Sequence, residues 1–392
     1  MHIKGSRPKP NKDTIFFIDP QSMINLAVYD YYLLSDINDF NLYYICSKYL
    51  DFKENHNHSY LRIFKYNKLS NSVLKACSYI LTYFKLLYLF MTLKPKLVHV
   101  QWFRLQHFDL YYYKLAKRLF GFKLLYTAHN ILPLNTGDNY FPVFLKIYKL
   151  CDAIIVHSED TKIQLAKKFN ISQDKISVIH HGFLQPNYDK SLFKEEEEHF
   201  NLKYNFGDKI IFTSLGFQNA YKGCDILAKV WNMTSELNQC NTCILVLVGK
   251  NQGVDYSMLS RYKNVIIEDR RLSNEEYYYL LSHTSVYLLP YKKNSFSQSG
   301  ALMTTISEKI PTLVTNVGGL PEPLKLAKIG WIIEDDINEA NLQAALLNIL
   351  HNPEEIRKIK QDENAWRKVQ DYYDWHNISL QTQGLYNKII YN

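Results

Sequence analysis

Residues 288–300 read LLPYKKNSFSQSG, and residues 301–322 continue ALMTTISEKIPTLVTNVGGLPE. An apolar strand runs into small polar residues, then a helix over 300–309, a second strand, and a second glycine-bearing turn. With only 14 glycines in 392 residues, Ser299-Gly300 and Gly318-Gly319 stand at two successive strand exits. Glycine at such a place lets backbone approach another group without a Cβ in the way. A strand, a small-residue turn and a helix in series are the parts of a parallel βαβ sheet.

The same rhythm extends in both directions. Upstream, strands are expected at 14–18, 41–46, 97–102, 124–130, 153–158 and 176–182, with helices at 73–93, 108–120, 140–150 and 159–169. Downstream, strands are expected at 209–216, 243–250, 264–269, 286–291, 311–316 and 330–335. Two such series predict an α/β protein of two Rossmann-like domains, since 392 residues exceed one ordinary core. The polar segment 185–207, with Glu195–Glu198, marks the break and reads as linker or a solvated helix start. Expected domains are 1–190 and 191–370, followed by a helix over 371–392.

Composition narrows the function classes. Apolar residues make up 47% and charged residues 21%, the balance of a globular chain. Residues 1–190 carry a net +11 and residues 191–392 a net −3, so an anionic partner, lipid or nucleic acid, is expected on the first domain. Residues 73–93 are nearly apolar except for Lys75 and Lys85, and 110–123 are basic and aromatic, the pattern of helices that lie on membranes or pack on a sheet. The six cysteines show no framework spacing, and MHIKGSRPKPNKDTIFFIDP has no leader-like apolar core, so a reducing cytoplasm is expected. No GxGxxG, P-loop, HExxH or GxSxG motif occurs, which disfavours dinucleotide, P-loop, zinc and serine-hydrolase chemistry.

In open parallel sheets ligands bind beyond the carboxyl ends of the strands, and two such domains suggest a cleft between them. The candidates at these ends in the first half are His99, Gln101, Trp102, His129, Asn130, His181 and Gly182. The second half offers Gly216, Lys222, Gly223, Gly249, Lys250, Arg270, Arg271, Tyr291, Ser299, Gly300, Gly318, Gly319 and Glu322. Glycine turns feeding helix starts, with lysine and arginine nearby, describe a phosphate site.

These residues resemble a known family. SLGFQNAYKGCDIL, LVLVGK and SQSGALMTTISEKIPTLVTNVGGLPE look like the donor half of GT-B glycosyltransferases of the glycosyltransferase 4-like group. LVHVQWFRL, GFKLLYTAHNILP, CDAIIVHSED and ISVIHHGF look like the acceptor half, and YYDWHNISLQTQGLYNKII like the closing helix that crosses back to the first domain. The resemblance implies two Rossmann-like domains facing across a cleft, and sugar transfer, of hexosyl type, from a nucleoside-diphosphate sugar to a hydroxyl. It implies Lys222 on the donor diphosphate, Ser299-Gly300 at the phosphate-facing helix, His129 near the donor sugar, and the loop Glu268–Leu272, with Arg271 and Leu272, at the nucleobase.

Two positions depart from the family pattern. The paired glutamates of many relatives fall on Phe296 and Thr304, and the arginine before the lysine falls on Asn219, as in a subgroup carrying SG without the pair. Asp138 is the candidate acceptor base and Glu322 a further donor contact. No DxD occurs, so no metal and no cofactor beyond the sugar nucleotide is expected. The expected partners are a sugar donor, with UDP favoured, a saccharide or lipid-linked acceptor in bacterial cell-surface polysaccharide synthesis, and the inner face of an anionic membrane. A catalytically silent subunit bound to a partner enzyme, a nucleotide-sugar epimerase and a nucleic-acid binder are the alternatives.

Overall fold

The computed structural model describes residues 12–23, 25–52, 55, 57–133, 138–185, 188–293 and 298–392. Among them, one compact unit takes 12–182 with 374–392, and a second takes 183–293 with 298–373. The chain passes between units at Gly182–Phe183 and again at Tyr373–Asp374.

The first unit holds seven parallel strands: β1 (Thr14–Ile18), β2 (Asn41–Ser47), β3 (Ser59–Phe64), β4 (Leu97–Val100), β5 (Lys123–Thr127), β6 (Ala153–Val156) and β7 (Ile176–Val178). Their order is β3-β2-β1-β4-β5-β6-β7, so the chain reverses direction across the sheet between β1 and β4. Its helices are α1 (Asn25–Leu33), α2 (Ser72–Leu93), α3 (Gln106–Phe120), α4 (Phe141–Leu150) and α5 (Glu159–Phe169). The interior strands β4 and β6 are buried at every position. That is why they read as continuous runs, broken only by His99 in β4, rather than alternating ones. The edge strand β3 was not expected: Arg62 interrupts SYLRIF, and its guanidinium bonds the Leu50 carbonyl at 2.6 Å.

The second unit repeats the plan with β8 (Ile210–Leu215), β9 (Cys243–Val248), β10 (Val265–Glu268), β11 (Val286–Leu289), β12 (Thr312–Thr315) and β13 (Gly330–Ile333). The order β10-β9-β8-β11-β12-β13 puts its reversal between β8 and β11. Its helices are α6 (Lys190–Tyr204), α7 (Cys224–Met233), α8 (Ser235–Asn238), α9 (Asn274–His283), α10 (Gly300–Ser307), α11 (Pro321–Leu326), α12 (Glu339–His351), α13 (Pro353–Gln361) and α14 (Glu363–Tyr372). The run Glu195–Glu198 lies on the exposed face of α6, a solvated helix rather than a linker.

The last helix, α15 (Trp375–Tyr391), belongs to the first unit. The Ser379 hydroxyl donates to the Leu33 carbonyl at 2.8 Å, and Tyr386 bonds His99 of β4 at 2.7 Å. Trp375 lies against Gly182, where a Cβ would come within 2.4 Å of the indole. Gly182 therefore serves this packing and is not a ligand-facing glycine.

Candidate functional site

In the second unit, the loops leaving β8, β9 and β11 meet at the reversal point. Gly216 follows β8 at φ +92° and Gly249 follows β9 at φ +147°, both conformations that favour glycine. A Cβ on Gly249 would lie 1.8 Å from the Gly216 carbonyl oxygen, so the two backbones touch only because Gly249 carries no side chain. The buried Gln218 pins the loop between them. Its backbone N–H donates to the Lys250 carbonyl at 3.0 Å, and its side chain reaches the Ser214 carbonyl at 3.0 Å and Tyr256 at 3.1 Å.

Asn219 then caps the short turn Ala220–Lys222, accepting from the Lys222 N–H at 3.2 Å while its amide donates to Gln252 at 2.9 Å. Asparagine here is an anchor for the loop, which accounts for the missing arginine in structural terms. Gly223 turns at φ +72°, with a Cβ excluded by the Pro290 carbonyl oxygen at 1.9 Å. These constraints hold the Lys222 ammonium 5.8 Å from the centre of the Tyr291 ring. Among the described residues, no carboxylate lies within ion-pair distance of Lys222, whereas Lys292 is paired with Asp225 at 2.6 Å and Lys250 with Asp269 at 3.2 Å.

Tyr291 links this lysine to the next loop. Its hydroxyl lies 3.3 Å from the Ser299 hydroxyl, and Ser299 caps α10 by accepting from the Leu302 N–H. Burial raises the Tyr291 phenol above its ordinary range, so it remains a neutral donor at Ser299. Gly300 opens α10, and a Cβ there would meet only Leu184 at 3.6 Å, an ordinary contact. The unit's own packing does not require glycine at 300. Thr304, at one of the missing glutamate positions, bonds back to the Gly300 carbonyl at 3.1 Å; the other, Phe296, lies outside the described residues. Glu322 sits half-buried in the first turn of α11, and Gly318 turns before it at φ +57°.

Arg271 is exposed and Leu272 half-buried after β10, but Arg270 is not available for an anion. Its guanidinium grips Glu276 with two bonds, at 2.7 and 2.6 Å, and bonds Glu268 at 2.6 Å. Lys203 and Tyr204 join the same carboxylate at 2.9 and 2.6 Å. Burial alone would raise the Glu276 carboxyl, yet the bonds from Arg270, Tyr204 and Lys203 hold it down at about 2. Of the two arginines after β10, Arg270 is thus engaged by the Glu268 and Glu276 carboxylates.

In the first unit, a histidine cluster occupies the ends of β4, β5, β6 and β7. His129 stacks on Trp102 with ring centres 4.6 Å apart. Its Nε2 lies 2.9 Å from the Gln101 carboxamide and its Nδ1 lies 3.2 Å from His157 Nε2. His157 Nδ1 bonds the Ile179 carbonyl at 2.9 Å, and His181 Nδ1 bonds the Gly182 carbonyl at 2.7 Å. Tyr29 of α1 fills the centre, within 5.5 Å of the rings of His129, His157 and His181.

The hydrogen positions follow from the acceptors. A carbonyl only accepts, so His157 carries its proton on Nδ1 and offers a lone pair at Nε2. His129 then carries its proton on Nδ1 and accepts at Nε2 from the Gln101 amide, whose two ends exchange by a half-turn. Turned this way, the Gln101 oxygen faces His99 Nε2 at 3.0 Å, and the Tyr386 hydroxyl donates to His99 Nδ1. Every member is satisfied with all rings neutral. Burial points the same way, lowering His99 and His157 to about 3, His181 to about 4, and His129 well below its ordinary range.

Of the expected residues here, His99 and Gln101 are fully buried supports. His129 keeps some surface exposed but has both ring nitrogens engaged, so it is a neutral wall and not a proton acceptor. Asp138 does not join the cluster: its side chain is 73% exposed and paired with Lys168 at 2.6 Å. His157 escaped sequence reading because it follows the apolar run AIIV, one strand along from His129. A second missed feature lies at the end of β1, where Asp19 and Asp30 are both buried. The Tyr44 hydroxyl donates to Asp30 at 2.6 Å. Burial pushes Asp19 up to about 6 and Asp30 well above the carboxylate range. Among the described residues, no three His, Cys, Asp or Glu side chains converge as a metal site.

Two parallel sheets with the reversal at the same place, the second carrying glycine turns beside a lysine that has no carboxylate partner among the described residues, are the architecture of a GT-B type of glycosyltransferase. The Glycosyltransferase Family 4 model matches residues 39–183, and the Glycosyl transferases group 1 model matches residues 194–366. The chain belongs to the glycosyltransferase 4-like GT-B glycosyltransferases. An uncharacterised glycosyltransferase of Methanocaldococcus jannaschii is 22% identical over 264 residues, covering 62% of this chain and 61% of that protein's length. Sucrose-phosphate synthase from Thermosynechococcus elongatus superposes with a TM-score of 0.69 at 16% identity, over 96% of this chain and 99% of that one. HepE from Anabaena, solved in complex with UDP, superposes at 0.67 with 12% identity, over 96% and 100%.

Proposed function

We propose that the protein transfers a hexosyl group from a nucleoside-diphosphate sugar, a UDP-sugar in the first instance, to a saccharide or lipid-linked acceptor in cell-surface polysaccharide synthesis. The observation that carries this reading is Lys222: an ammonium with no carboxylate partner among the described residues, fixed by Gly216, Asn219 and Gly223 at the reversal point of a parallel sheet. UDP is favoured because HepE, of the same fold, was solved with it.

In this reading Lys222 and the amides opening α10 at Ser299-Gly300 receive the diphosphate. The loop at Arg271-Leu272 takes the base, and Gly216 and Glu322 complete the donor contacts. Charge grows on the departing diphosphate in the transition state, and a fixed ammonium with oriented N–H groups stabilises it without reorganising. Neutralisation then rests on protein groups, and we propose transfer without a bound metal. His129 serves as a neutral wall toward the sugar. Asp138, exposed and paired with Lys168, is assigned no proton transfer; the departing phosphate takes the acceptor's proton instead.

The test is a thermal-shift panel of UDP, GDP, ADP and CMP on the wild type and Lys222→Ala, followed by sugar-nucleotide turnover with the nucleotide that binds. One nucleoside diphosphate is expected to stabilise the wild type, by about 3 kcal/mol at a hundredfold excess over Kd. Lys222→Ala is expected to abolish the shift. A protein that no nucleotide stabilises is instead a silent subunit. Unchanged activity in Asp138→Asn is expected, and its loss would reinstate Asp138 as the base.

A further inference from the structure

The helices α2 and α3 lie side by side on the first unit's sheet, with the Tyr112 hydroxyl bonding the Tyr83 carbonyl at 2.9 Å and the Tyr83 and Tyr112 rings 4.5 Å apart. The inner face of α2 is spent on the core through Tyr79, Tyr83, Leu86, Leu89 and Phe90. Its outer face is apolar as well. Leu81, Phe84, Tyr88 and Met91 are 63, 67, 56 and 51% exposed, and Cys77 extends their line by one turn. The spacing of four, three, four and three residues puts all five on one stripe. Beside it, α3 exposes Tyr111, Leu115 and Leu119, at spacings of four. Isolated apolar residues are normal on a surface, but two adjoining stripes on packed helices form a patch, which marks an interaction site.

Charge selects the occupant. Residues 55–137 contain twelve lysines and arginines and one acidic residue, Asp109. Asp109 is fully buried, accepting from Tyr79 and the Leu105 N–H, so no carboxylate of this segment faces outward. Lys85, Lys114 and Arg118 are exposed next to the stripes. A second copy of the chain would bring two cationic rims together. An anionic bilayer takes both the apolar centre and the rim.

The length and composition of α2 suffice to cross a membrane, but only 33% of its most apolar window is buried, and that buried part is the face packed on the sheet. Crossing would pull Tyr83, Leu86 and Phe90 out of the core. We propose that the α2–α3 face is a docking surface for an anionic lipid bilayer, with α2 lying in the plane of the interface and its Leu81–Met91 stripe entering the acyl boundary. The surface gives the lipid-linked acceptor reading its partner and rests on that reading only for its purpose.

The experiment is co-sedimentation of the full chain with vesicles of phosphatidylcholine alone and of phosphatidylcholine mixed with phosphatidylglycerol, without donor or acceptor. Binding to the anionic vesicles is expected to exceed binding to the neutral ones by about tenfold or more and to weaken in high salt. Leu81→Gln/Phe84→Gln/Tyr88→Gln and, separately, Lys85→Glu/Lys114→Glu/Arg118→Glu are each expected to abolish it with the melting temperature unchanged, since every altered side chain is exposed. An environment-sensitive fluorophore on Cys77, in a Cys240→Ser background, is expected to shift blue on anionic vesicles only. Lys222→Ala is expected to keep vesicle binding, so loss of donor chemistry and loss of docking are read apart. Absence of vesicle binding, or binding that both sets of variants retain, overturns the proposal. A dimer that the glutamine variant dissolves, with no vesicle binding, assigns the face to a second copy.

Discussion

His129 and His157 meet nitrogen to nitrogen, Nδ1 facing Nε2 at 3.2 Å, inside a chain that starts at the Gln101 amide and ends on the Ile179 carbonyl. The contact needs a proton on one of the facing nitrogens and a lone pair on the other, so the two rings cannot both be protonated. In the unfolded chain these histidines titrate near 6.5, and in the fold His99, His157 and His181 titrate at about 3, 3 and 4. The folded values are depressed, so the stabilisation is full above about pH 6.5 and is lost as pH falls toward 3. One pH unit below 6.5, each buried histidine should remove on the order of 1 kcal/mol. Calorimetry of the wild type between pH 8 and 5 is therefore expected to show a plateau and then a steep fall in Tm. A flat Tm across that range would mean that the rings take up protons without cost.

Gly300 and Gly223 differ in what a side chain would meet. Gly300→Ala meets only Leu184 at 3.6 Å and should leave Tm within about a degree or raise it, since alanine suits a helix start better than glycine. If the proposed donor site is right, nucleotide affinity should nevertheless fall by about tenfold or more, because on that proposal the methyl enters the space of the diphosphate. Gly223→Ala runs into the Pro290 carbonyl and should cost about 3 kcal/mol or more of stability. Thermal shifts of both variants with and without nucleotide check the pair. Equal effects on Tm would remove the distinction.

Arg270 belongs to stability. Arg270→Ala leaves Glu276, whose side chain is 6% exposed, without its two strongest bonds and is expected to cost about 3 kcal/mol. Nucleotide affinity should be unchanged. Because the Glu276 carboxyl is depressed to about 2, the wild type holds this stabilisation above its ordinary value of 4.5 and loses it as pH falls from there toward 2. Urea melts of wild type and variant at neutral and acid pH test this, and a variant as stable as wild type at neutral pH would refute the assignment.

The Asp19–Asp30 pair carries the opposite sign. Burial raises both carboxyls, so the stabilisation is full below their ordinary value of 3.8 and declines as pH rises through about 6. Asp30→Asn keeps the acceptor for the Tyr44 hydroxyl and removes the repulsion. It should be neutral near pH 3 and increasingly stabilising as pH rises, by about 1 kcal/mol or more at pH 8. A variant less stable than wild type at pH 8 would show that the charge itself is needed.

Much of the architecture was written in the strands. Parallel strands covered on both faces are apolar at nearly every position, with a buried polar side chain such as His99 admitted only where it is bonded, so LVHV, CILVLV and VYLL announce themselves. SYLRIF at the sheet edge is under weaker constraint, because Arg62 can reach a loop carbonyl, and so it passed unnoticed. Lys222 stands out in sequence from its place between Gly216 and Gly223, and the fold leaves it without a carboxylate partner among the described residues. Arg270 reads in sequence as one more strand-end cation, because sequence displays the cation but not the carboxylate that engages it, here six positions on, at the start of the next helix. His157 and Asp19 look like ordinary strand-end residues until their partners from neighbouring strands and α1 are known.

The closing helix also orders events during synthesis. The first unit lacks the Tyr386 hydroxyl at His99 and the Trp375 ring at Gly182 until the ribosome has made the 191 residues from Phe183 to Tyr373. At ordinary translation rates that is a wait of roughly 10–40 s. Throughout it, the buried histidines and the α2–α3 face belong to a nascent, unfinished sheet. The second unit, contiguous in the chain, is free to fold first, and the N-terminal half of the protein becomes the last part to mature.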